Sequence, residues 1–444
     1  MNITVRRENN DNNAKALNAC PAGRLFFINR YFHPDHSATS QILSDLAFHL
    51  ADSGREVHIV TSQQRYEDPK SRLPRTEIVQ GVRVHRVPTT HFGRSALIGR
   101  AIDYFSFYMS AWRELNRLLA VDDIVVAKTD PPLVSIVAML AARRSRAHLV
   151  NWLQDIYPEV AANLGLSIFR GPLGGALSFV RDKTLKMAVA NVVVGARMRE
   201  RLVCRGIPAK SINVIHNWSD DEQISAIEPA NNPLRRQWRL DGKFVVGYSG
   251  NLGRAHEFNT VIEASELLRD NPRIVFAFIG GGQHMGELTR TVRARGLDHM
   301  FRFIPYQERE FLKYSLCLPD VHWISLKPCV EGMIVPSKFY GIAAAARPII
   351  AITASDGEIA RLVKEYDCGL IVEPGDAKAL TEAILRLCAD NSSVAYMGAR
   401  ARAMLDERFT RLHAYQHWRD VLGRIEQSTA MQESLSPQQA PTRR

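Results

Sequence analysis

Short apolar segments alternate with amphipathic helical segments along nearly all of this 444-residue chain, and that alternation constrains the fold more than any other feature. It is typical of parallel sheets whose strands are joined by crossover helices. Most of the short segments are apolar on both faces, as strands buried inside such sheets are. A polar, non-periodic stretch from Asn217 to Gly242 divides the pattern into two series. We therefore predict an α/β protein with two doubly wound, Rossmann-like domains that face a central cleft.

The predicted strands lie at 25–29, 57–61, 82–87, 124–127, 149–153, 191–194 and 212–215 in the first series, and at 244–249, 274–279, 300–304, 321–325, 348–352 and 369–372 in the second. The chain then divides into a disordered leader at 1–23, a first domain at 24–222, a linker at 223–242, a second domain at 243–404, a helix at 405–426 and a disordered tail at 427–444. The helix at 405–426 has apolar side chains at spacings of three and four, so we expect it to cross back to the first domain.

Several protein classes are excluded by composition and spacing. Met1–Cys20 is polar and holds six Asn, without the apolar core of a signal peptide. The longest strongly apolar run, from Pro131 to Ala142, is shorter than the about 20 residues that cross a bilayer. No C-x-x-C spacing occurs, which argues against zinc and against a disulfide framework. His33 and His36 have only Asp35 beside them, so we expect no metal site.

The segment from Glu331 to Lys338 is the most informative motif for function. It offers a carboxylate on a loop and an ammonium where Pro336 and Ser337 open a helix. A carboxylate suits sugar hydroxyls, whereas a helix start beside an ammonium suits a phosphate. Together these two partners describe a nucleotide sugar. The alternative reading of the motif is a surface salt bridge between Glu331 and Lys338.

Two glycine loops open the second domain. The first follows the strand at 244–249 and contains Gly250, Asn251, Gly253 and Arg254; the second is Gly280–Gly282. Glycines let the backbone approach a ligand, and the Arg254 guanidinium suits a diphosphate. A simple tight turn is the alternative for Gly280–Gly282.

Two loops of the first domain complete the set of strand ends. The loop after the first strand holds His33 and the small residues Ser37, Ala38 and Thr39, whose backbone amides can approach a phosphate or an acceptor. Asp155 follows the strand at 149–153 and can take a proton or bind a sugar hydroxyl. A helix-capping or turn carboxylate is the alternative role for Asp155.

The chain resembles retaining glycosyltransferases of the GT-B fold, glycosyltransferase family four, in five ordered motifs, and most of all the bacterial enzymes of O-antigen, capsule and colanic-acid assembly. The motifs are Tyr-Ser-Gly-Asn-Leu-Gly-Arg-Ala-His at 248–256, Phe-Ile-Gly-Gly-Gly at 278–282, Glu-Gly-Met-Ile-Val-Pro-Ser-Lys at 331–338, Ala-Arg-Pro-Ile-Ile at 346–350 and Cys-Gly-Leu-Ile-Val-Glu-Pro-Gly-Asp at 368–376. The resemblance spans about residues 24 to 425.

The resemblance implies sugar transfer from a nucleoside diphosphate, without a metal or a cofactor and without a protein nucleophile. The first domain would bind the acceptor through His33, Ser37, Ala38 and Thr39, and the second domain would bind the nucleotide sugar. The catalytic residues implied are Arg254 and Lys338 for the leaving diphosphate and Glu331 for sugar hydroxyls. From its position at a strand end we add Asp155 to the candidate catalytic residues. Phe278 with Gly280, Gly281 and Gly282 would line the base, and Gly250, Asn251, Gly253, Pro336, Ser337 and Glu358 would complete the donor site.

Two positions depart from the family pattern. Phe339 stands where a second glutamate usually binds the ribose, and Gly341 stands there in the longer variant of the motif. Asn251 and His256 stand where the first loop of the second domain usually has Arg and Lys, which makes Arg254 a shifted substitute.

The resemblance further implies particular partners and a location. We expect UDP as the nucleotide, with GDP as the alternative, an N-acetylated or deoxy hexose, and a polyprenyl-diphosphate-linked saccharide as acceptor. The net charge is +11, and nine basic residues against two acidic ones lie between Arg170 and Lys210. With the apolar residues from Ile168 to Phe179, this segment predicts peripheral contact with anionic lipid on the cytoplasmic face of the bacterial inner membrane.

Two other function classes compete with this interpretation. A nucleotide-sugar epimerase or hydrolase of the same fold would use Asp155, Glu331 and Glu358 as converging carboxylates. A nucleic-acid or anionic-surface binding protein would use the basic segment alone. Phe179 is the one aromatic residue between Arg170 and Lys210, so bases have no stacking platform there and we expect no nucleic-acid partner.

Overall fold

The computed structural model describes residues 23–435 except 36, 67, 69 and 93–96. It contains two α/β domains, each built on its own sheet, and the predicted pair of doubly wound domains is confirmed. The leader at 1–22, His36 and the end of the tail at 436–444 lie outside the described residues.

Fourteen strands are present in the described part of the chain: β1 Leu25–Ile28, β2 Val57–Ser62, β3 Thr76–Val79, β4 Val82–Val87, β5 Ile124–Lys128, β6 His148–Leu153, β7 Ala190–Val193, β8 Ile212–Val214, β9 Phe244–Asn251, β10 Ile274–Gly281, β11 Phe301–Ile304, β12 Val321–Ser325, β13 Ile349–Ile352 and β14 Gly369–Val372. The α-helices of the same part are α1 Ala38–Asp52, α2 Leu97–Leu118, α3 Val134–Ser145, α4 Glu159–Asn163, α5 Pro172–Met187, α6 Ala196–Cys204, α7 Pro233–Gln237, α8 Asn259–Leu267, α9 Met285–Ala294, α10 Leu312–Leu316, α11 Lys338–Ala344, α12 Glu358–Tyr366, α13 Ala377–Ala389, α14 Asn391–Met404 and α15 Arg411–Leu435.

The first sheet has the order β3-β4-β2-β1-β5-β6-β7-β8. Its strands run parallel except β3, which pairs antiparallel with β4 through a tight turn at Gln80 and Gly81, both with positive φ. β3 is not among the predicted strands, because this edge strand alternates exposed and half-buried residues and lacks the continuous apolar run of a central strand. The hairpin lies at the edge of the sheet, far from the strand ends that face the second domain.

The second sheet is fully parallel, with the order β11-β10-β9-β12-β13-β14. β9 and β10 continue two residues beyond their predicted ends and pair Gly250 with Gly280 and Asn251 with Gly281. The predicted glycine loops are therefore the last residues of paired strands. This register places them side by side at the carboxyl rim of the sheet, where ligands bind in such folds.

The two domains share one continuous apolar core. Val193, Met198 and Leu202 of the first domain belong to the same buried cluster as Phe339 and Ile359 of the second. Apolar side chains from both domains thus exclude water along this edge of the cleft. This shared cluster fixes the carboxyl ends of the two sheets relative to each other at that edge.

The last helix, α15, packs against the first sheet. Trp418 is fully buried between Phe27 and Trp152, with ring centroids 6.4 and 4.8 Å away. A π-helical turn at Leu405–Phe409 joins α14 to α15. The prediction of disorder from residue 427 is wrong up to Leu435, because α15 continues that far and Ile425 still packs in the core of the first domain. None of the helices in the described ranges combines the length and apolarity that a membrane span requires.

Candidate active site

The carboxyl ends of β9 and β10 bring two glycines and Lys338 together at the rim of the second sheet. Gly250 and Gly280 have φ of 122° and 134°, values that favour glycine. A Cβ at Gly280 would lie 2.3 Å from the carbonyl oxygen of Gly250, so a larger residue would force the strands apart. A Cβ at Gly250 would lie 3.5 Å from Lys338 Cε. The rim therefore exposes backbone directly beside an ammonium group.

The Lys338 ammonium is held by two neutral groups. Its Nζ donates to Tyr248 Oη at 2.9 Å and lies 3.0 Å from His256 Nε2. His256 Nδ1 lies 2.6 Å from the carbonyl oxygen of Ser325. A carbonyl can only accept, so Nδ1 carries the hydrogen and Nε2 accepts from Lys338. Among the residues that the structure describes, no carboxylate forms an ion pair with Lys338.

Burial shifts the proton affinities of both members of this pair. It lowers the pKa of the Lys338 ammonium to about 7. Burial, followed by the charge of Lys338, lowers the pKa of His256 to about 3, so this imidazole is neutral at physiological pH. A cation at this position without an anionic partner costs free energy, and a bound anion would remove that cost.

The start of α11 contributes fewer donors than the sequence predicts. The predicted helix begins at Pro336, whereas α11 begins at Lys338 and is seven residues long. The amides of Phe339 and Tyr340 already donate to the carbonyl oxygens of Pro336 and Ser337, both at 3.3 Å. The Lys338 ammonium is therefore the principal group for an anion in this segment.

The first glycine loop and the end of β10 form a compact part of the same rim. Gly282 has a φ of 128°, and a Cβ there would lie 2.5 Å from Asn251 Oδ1. A Cβ at Gly253 would lie 3.6 Å from Asn251 Nδ2. Arg254 is exposed, and its Nε donates to Gln283 Oε1 at 2.9 Å. Arg254 thus lies near the rim, and its guanidinium is bound by Gln283, which follows the second glycine loop.

Glu331 is buried at the base of the cleft. Its Oε2 accepts from Thr353 Oγ1 at 3.0 Å, and its Oε1 accepts from the Glu358 amide at 2.9 Å. The salt bridge between Glu331 and Lys338 is not formed, because the partners of Lys338 are neutral. A carboxylate has about four lone-pair sites, so Glu331 retains capacity for hydroxyl groups.

Glu358 has a structural contact where the sequence predicts donor binding. Its Oε1 accepts from the amide of Ala196 at 3.0 Å and its Oε2 from the amide of Arg197 at 2.7 Å. Both amides lie in the first turn of α6, so Glu358 of the second domain caps a helix of the first. Burial raises the pKa of Glu358, and these two amides oppose the rise. Both carboxyl oxygens of Glu358 thus bind the first domain, so we expect its main role to lie between the domains, while donor binding stays a prediction.

Phe278 does not line the cleft. Its side chain is 0% exposed and packs against Tyr248, Trp323 and Phe301 inside the second domain. The prediction that this ring lines a base is wrong, because the side chain of Phe278 points into the core while the glycines two residues later reach the rim.

Asp155 lies where the first domain contacts the segment from Glu331 to Lys338. The amide of Ile156 donates to the carbonyl oxygen of Met333 at 3.0 Å, and Asp155 forms a β-bridge with Ile334. Burial, and secondarily the charge of Asp130, raises the pKa of Asp155 to about 7. Its Oδ1 is buried and has no hydrogen-bond partner in the described structure. A carboxyl group that is partly protonated near neutrality can either donate to a hydroxyl or accept from it.

The predicted acceptor-side residues, His33, Ser37, Ala38 and Thr39, surround the start of α1 at the rim of the first sheet. Lys128 at the end of β5 donates from Nζ to the carbonyl oxygen of Thr39 at 2.7 Å. Lys128 is buried, and burial lowers its pKa well below the usual range. It fixes the acceptor-side loop from beneath.

Sequence reasoning misses the two residues that hold Lys338. Tyr248 reads as a strand residue, and His256 reads as a departure from the family pattern. Only the positions of these residues in the chain could have indicated their role. Tyr248 ends the apolar part of β9, and His256 lies six residues past Gly250, in the loop that follows β9. In parallel sheets such positions converge on the ends of neighbouring strands.

Comparison with known proteins places both halves of the chain in families of one activity. Residues 231–404 match the family model of glycosyl transferases group 1, and residues 38–218 match that of a glycosyl transferase 4-like domain. The putative colanic acid biosynthesis glycosyl transferase WcaI of Escherichia coli (strain K12) is 26% identical over 370 residues, which cover 80% of this chain and 89% of the relative. The probable glycosyltransferase WbjE of Pseudomonas aeruginosa is 26% identical over 298 residues, which cover 65% and 71%.

A solved structure shows the same fold. The crystal structure of Anabaena Alr3699/HepE in complex with UDP superposes with a TM-score of 0.65 at 16% sequence identity and covers 93% of this chain and 99% of that one. At this identity the likeness concerns the fold, and it confirms the predicted architecture.

Glu358→Ala should destabilise the protein and leave nucleotide binding intact. The substitution leaves two amides of α6 without a partner, which costs about 1–3 kcal/mol. We expect the thermal midpoint to fall by several degrees and UDP affinity to stay within about twofold of wild type. The measurements are circular dichroism melting and isothermal titration calorimetry.

Asp356→Ala is the matched control. Asp356 lies two residues before Glu358 and also contacts α6, through an ion pair with Arg197, but its side chain is exposed. Exposed pairs contribute about 0–1 kcal/mol, so its midpoint should hardly move. If Glu358→Ala protein has unchanged stability but binds UDP more weakly, Glu358 is a donor-binding residue.

Proposed function

Because this chain belongs to the GT-B glycosyltransferases, with a group 1 second domain and a glycosyl transferase 4-like first domain, we propose that it transfers a sugar from a nucleoside diphosphate to a saccharide acceptor with retention of configuration. The observation that carries the proposal is the Lys338 ammonium, held by Tyr248 and His256 beside Gly250 without an anionic partner in the described structure. A diphosphate supplies the missing charge and fits against exposed backbone.

The proposed mechanism assigns the leaving diphosphate to Lys338. As the bond between the anomeric carbon and the diphosphate breaks, negative charge grows on the phosphate oxygens, and a preorganised ammonium stabilises it. Arg254 swings from Gln283 toward the same diphosphate. The acceptor hydroxyl attacks from the face that the diphosphate leaves, so its proton passes to a departing phosphate oxygen.

Glu331 and Asp155 frame the reacting sugar from opposite domains in this proposal. Glu331 keeps lone pairs for donor-sugar hydroxyls, while Thr353 and the Glu358 amide fix its orientation. Asp155 faces the acceptor side, and its raised pKa lets it donate to a sugar oxygen or accept from an acceptor hydroxyl. The β-bridge between Asp155 and Ile334 ties the two carboxyl-bearing loops together.

We further propose UDP as the nucleotide, with GDP as the alternative, an N-acetylated or deoxy hexose as the sugar, and a polyprenyl-diphosphate-linked saccharide as the acceptor. The relation to WcaI, whose name concerns colanic acid biosynthesis, supports a place in bacterial surface-polysaccharide assembly. The UDP complex of HepE supports the nucleotide.

Lys338→Ala should lower turnover with a nucleotide-sugar donor by about 10²-fold or more, because the departing diphosphate loses its preorganised cation. Glu331→Gln should also lower turnover while UDP affinity is kept. Product formation on a lipid-linked acceptor, followed by mass spectrometry, measures both effects. Lys364→Ala, which removes an exposed lysine of the same domain, is the control and should match wild type.

Two outcomes would contradict the assignment. If Lys338→Ala protein keeps more than half of wild-type turnover, the diphosphate does not bind at Lys338. Release of free sugar at the full rate without any acceptor would indicate a hydrolase.

UDP binding should weaken as pH rises above about 7. The protonated Lys338 binds the diphosphate, burial lowers its pKa to about 7, and a bound diphosphate raises that pKa. Above pH 7 binding must therefore take up a proton, and affinity should fall by about tenfold per pH unit. Calorimetry between pH 7 and 9 measures this slope.

Lys338→Arg is the matched variant for the pH series, since a guanidinium stays charged throughout that range. Its UDP affinity should be lower than that of wild type but nearly independent of pH. A wild-type affinity that stays constant from pH 7 to 9 would show that Lys338 does not bind as a cation.

The surface formed by α5 and the turn before it is the proposed site of membrane contact. Ile168, Leu173 and Phe179 are exposed, as are Arg170 and Lys183. Apolar side chains of this kind enter the headgroup region, and each basic residue near anionic lipid contributes about 1 kcal/mol. Arg181 is an exception to the predicted lipid contacts, because it is buried and pairs with Glu159 at 2.7 Å.

Helix α2 extends this surface. Ile98, Ile102, Phe105 and Trp112 are exposed at spacings of three, four and seven residues, so they form one stripe along the helix. α3 packs against both α2 and α5, which places the two apolar surfaces on the same side of the first sheet. Arg143 and Arg144 of α3 lie exposed between them.

The protein should sediment with vesicles that contain anionic lipid and not with neutral vesicles, and the bound fraction should fall as salt rises. Phe179→Glu should reduce binding, because it places a carboxylate at the lipid surface. Leu412→Glu, an equally exposed change on α15, should have no effect. Wild-type protein that stays in the supernatant with anionic vesicles at low salt would contradict the proposal.

A further inference from the structure

The rim of the second sheet continues past the glycines to a third strand end. β10 pairs with β11 in the register Ile279 to Ile304. Gly281 is the last residue of β10, and Tyr306 lies two residues after the end of β11. On its other side Gly281 pairs with Asn251 of β9. Asn251, Gly281 and Tyr306 are therefore neighbours at the carboxyl rim, since the ring of Tyr306 lies against Gly281.

Tyr306 presents an aromatic ring to the cleft side of this rim. Its side chain is 57% exposed, although tyrosine is a largely apolar residue. The ring lies against the Gly281 backbone, since a Cβ on Gly281 would be 3.0 Å from Tyr306 Cε2. Glycine at 281 thus makes room for the ring. Phe278, the aromatic residue two positions before Gly280, is fully buried and cannot reach a ligand.

We propose that Tyr306 is the platform on which the nucleobase of the donor stacks. The inference rests on the proposed function, because it takes the diphosphate to lie at Lys338. It adds a nucleotide-binding residue that the sequence motifs do not include, and it gives the donor a direction along the rim.

The spacing of the strands supports this direction. Lys338 Cε lies beside Gly250 of β9, and Tyr306 follows the end of β11, which lies two strands away in the sheet. Two strand spacings amount to roughly 10 Å, which places the ring one ribose beyond the diphosphate. The glycines of β10 lie between, with no side chain to obstruct a nucleotide lying across them. The nucleotide would then extend from Lys338 over Gly280 and Gly281 to Tyr306.

Stacking on Tyr306 also accounts for a binding site without the usual ribose carboxylate. Phe339, at the position of that glutamate, is fully buried in the core, and Gly341 has no side chain. An aromatic platform contributes affinity through the face of the base and needs no partner on the ribose. Every nucleobase has such a face, so the ring favours a nucleoside diphosphate over a bare diphosphate without selecting uracil or guanine.

The test compares UDP, GDP and inorganic pyrophosphate by isothermal titration calorimetry on the full chain. Tyr306→Ala should weaken the binding of the preferred nucleoside diphosphate by about 5- to 100-fold and leave pyrophosphate binding unchanged. Tyr306→Phe should bind like wild type, because it keeps the ring. Phe311→Ala, which removes an exposed ring that contacts Tyr314 instead, should also bind like wild type.

Lys338→Ala separates this proposal from the proposed function. It should weaken both pyrophosphate and nucleotide, whereas Tyr306→Ala should weaken nucleotide alone. Tyr306→Ala protein that binds nucleotide within twofold of wild type would overturn the platform and leave the diphosphate site standing. Equal losses of nucleotide and pyrophosphate in Tyr306→Ala would also overturn it, by placing the ring at the phosphates. Wild-type protein that binds none of the three ligands would overturn both proposals.

Discussion

The ammonium of Lys338 organises the rim of the second domain. It is bound by a phenol and by a neutral imidazole, and Ser325 fixes the tautomer of that imidazole through its carbonyl oxygen. Gly250 keeps a side chain away from the Lys338 side chain, which is where we propose that the diphosphate binds. Burial lowers the pKa of Lys338, so the charged form of this side chain is disfavoured unless an anion pairs with it. An anion that pairs with the Lys338 ammonium offsets this unfavourable free energy, which adds to the binding free energy of the anion.

The two carboxylates behind that rim form a chain from the donor loop to the first domain. Glu331 binds the amide of Glu358, and the carboxylate of Glu358 binds the amides of Ala196 and Arg197. Each link satisfies backbone donors at the start of a helix, where no intrahelical acceptor exists. Because the apolar core also continues across this edge, the acceptor-side and donor-side loops are held at a fixed separation. A site that must align an acceptor hydroxyl with an anomeric carbon depends on such alignment.

The sequence predicts the architecture well and the side-chain directions poorly, for one physical reason. Alternating strands and helices follow from hydrophobic period alone, so the strands of both sheets, apart from the edge strand β3, are anticipated. Which side chain of a strand end points into the cleft depends on register and packing. Phe278 therefore turns into the core, whereas Tyr306, two residues after the end of the neighbouring strand, is exposed. Glu358 and His256 acquire their contacts from the other domain and from a neighbouring loop, and no local pattern contains that information.

A crystal structure of the protein with UDP tests the central claim most directly. The account predicts phosphate oxygens within about 3 Å of Lys338 Nζ, over the glycines at the ends of β9 and β10. A nucleotide whose phosphates are bound by other residues, while Lys338 still donates to Tyr248 and His256, would contradict it.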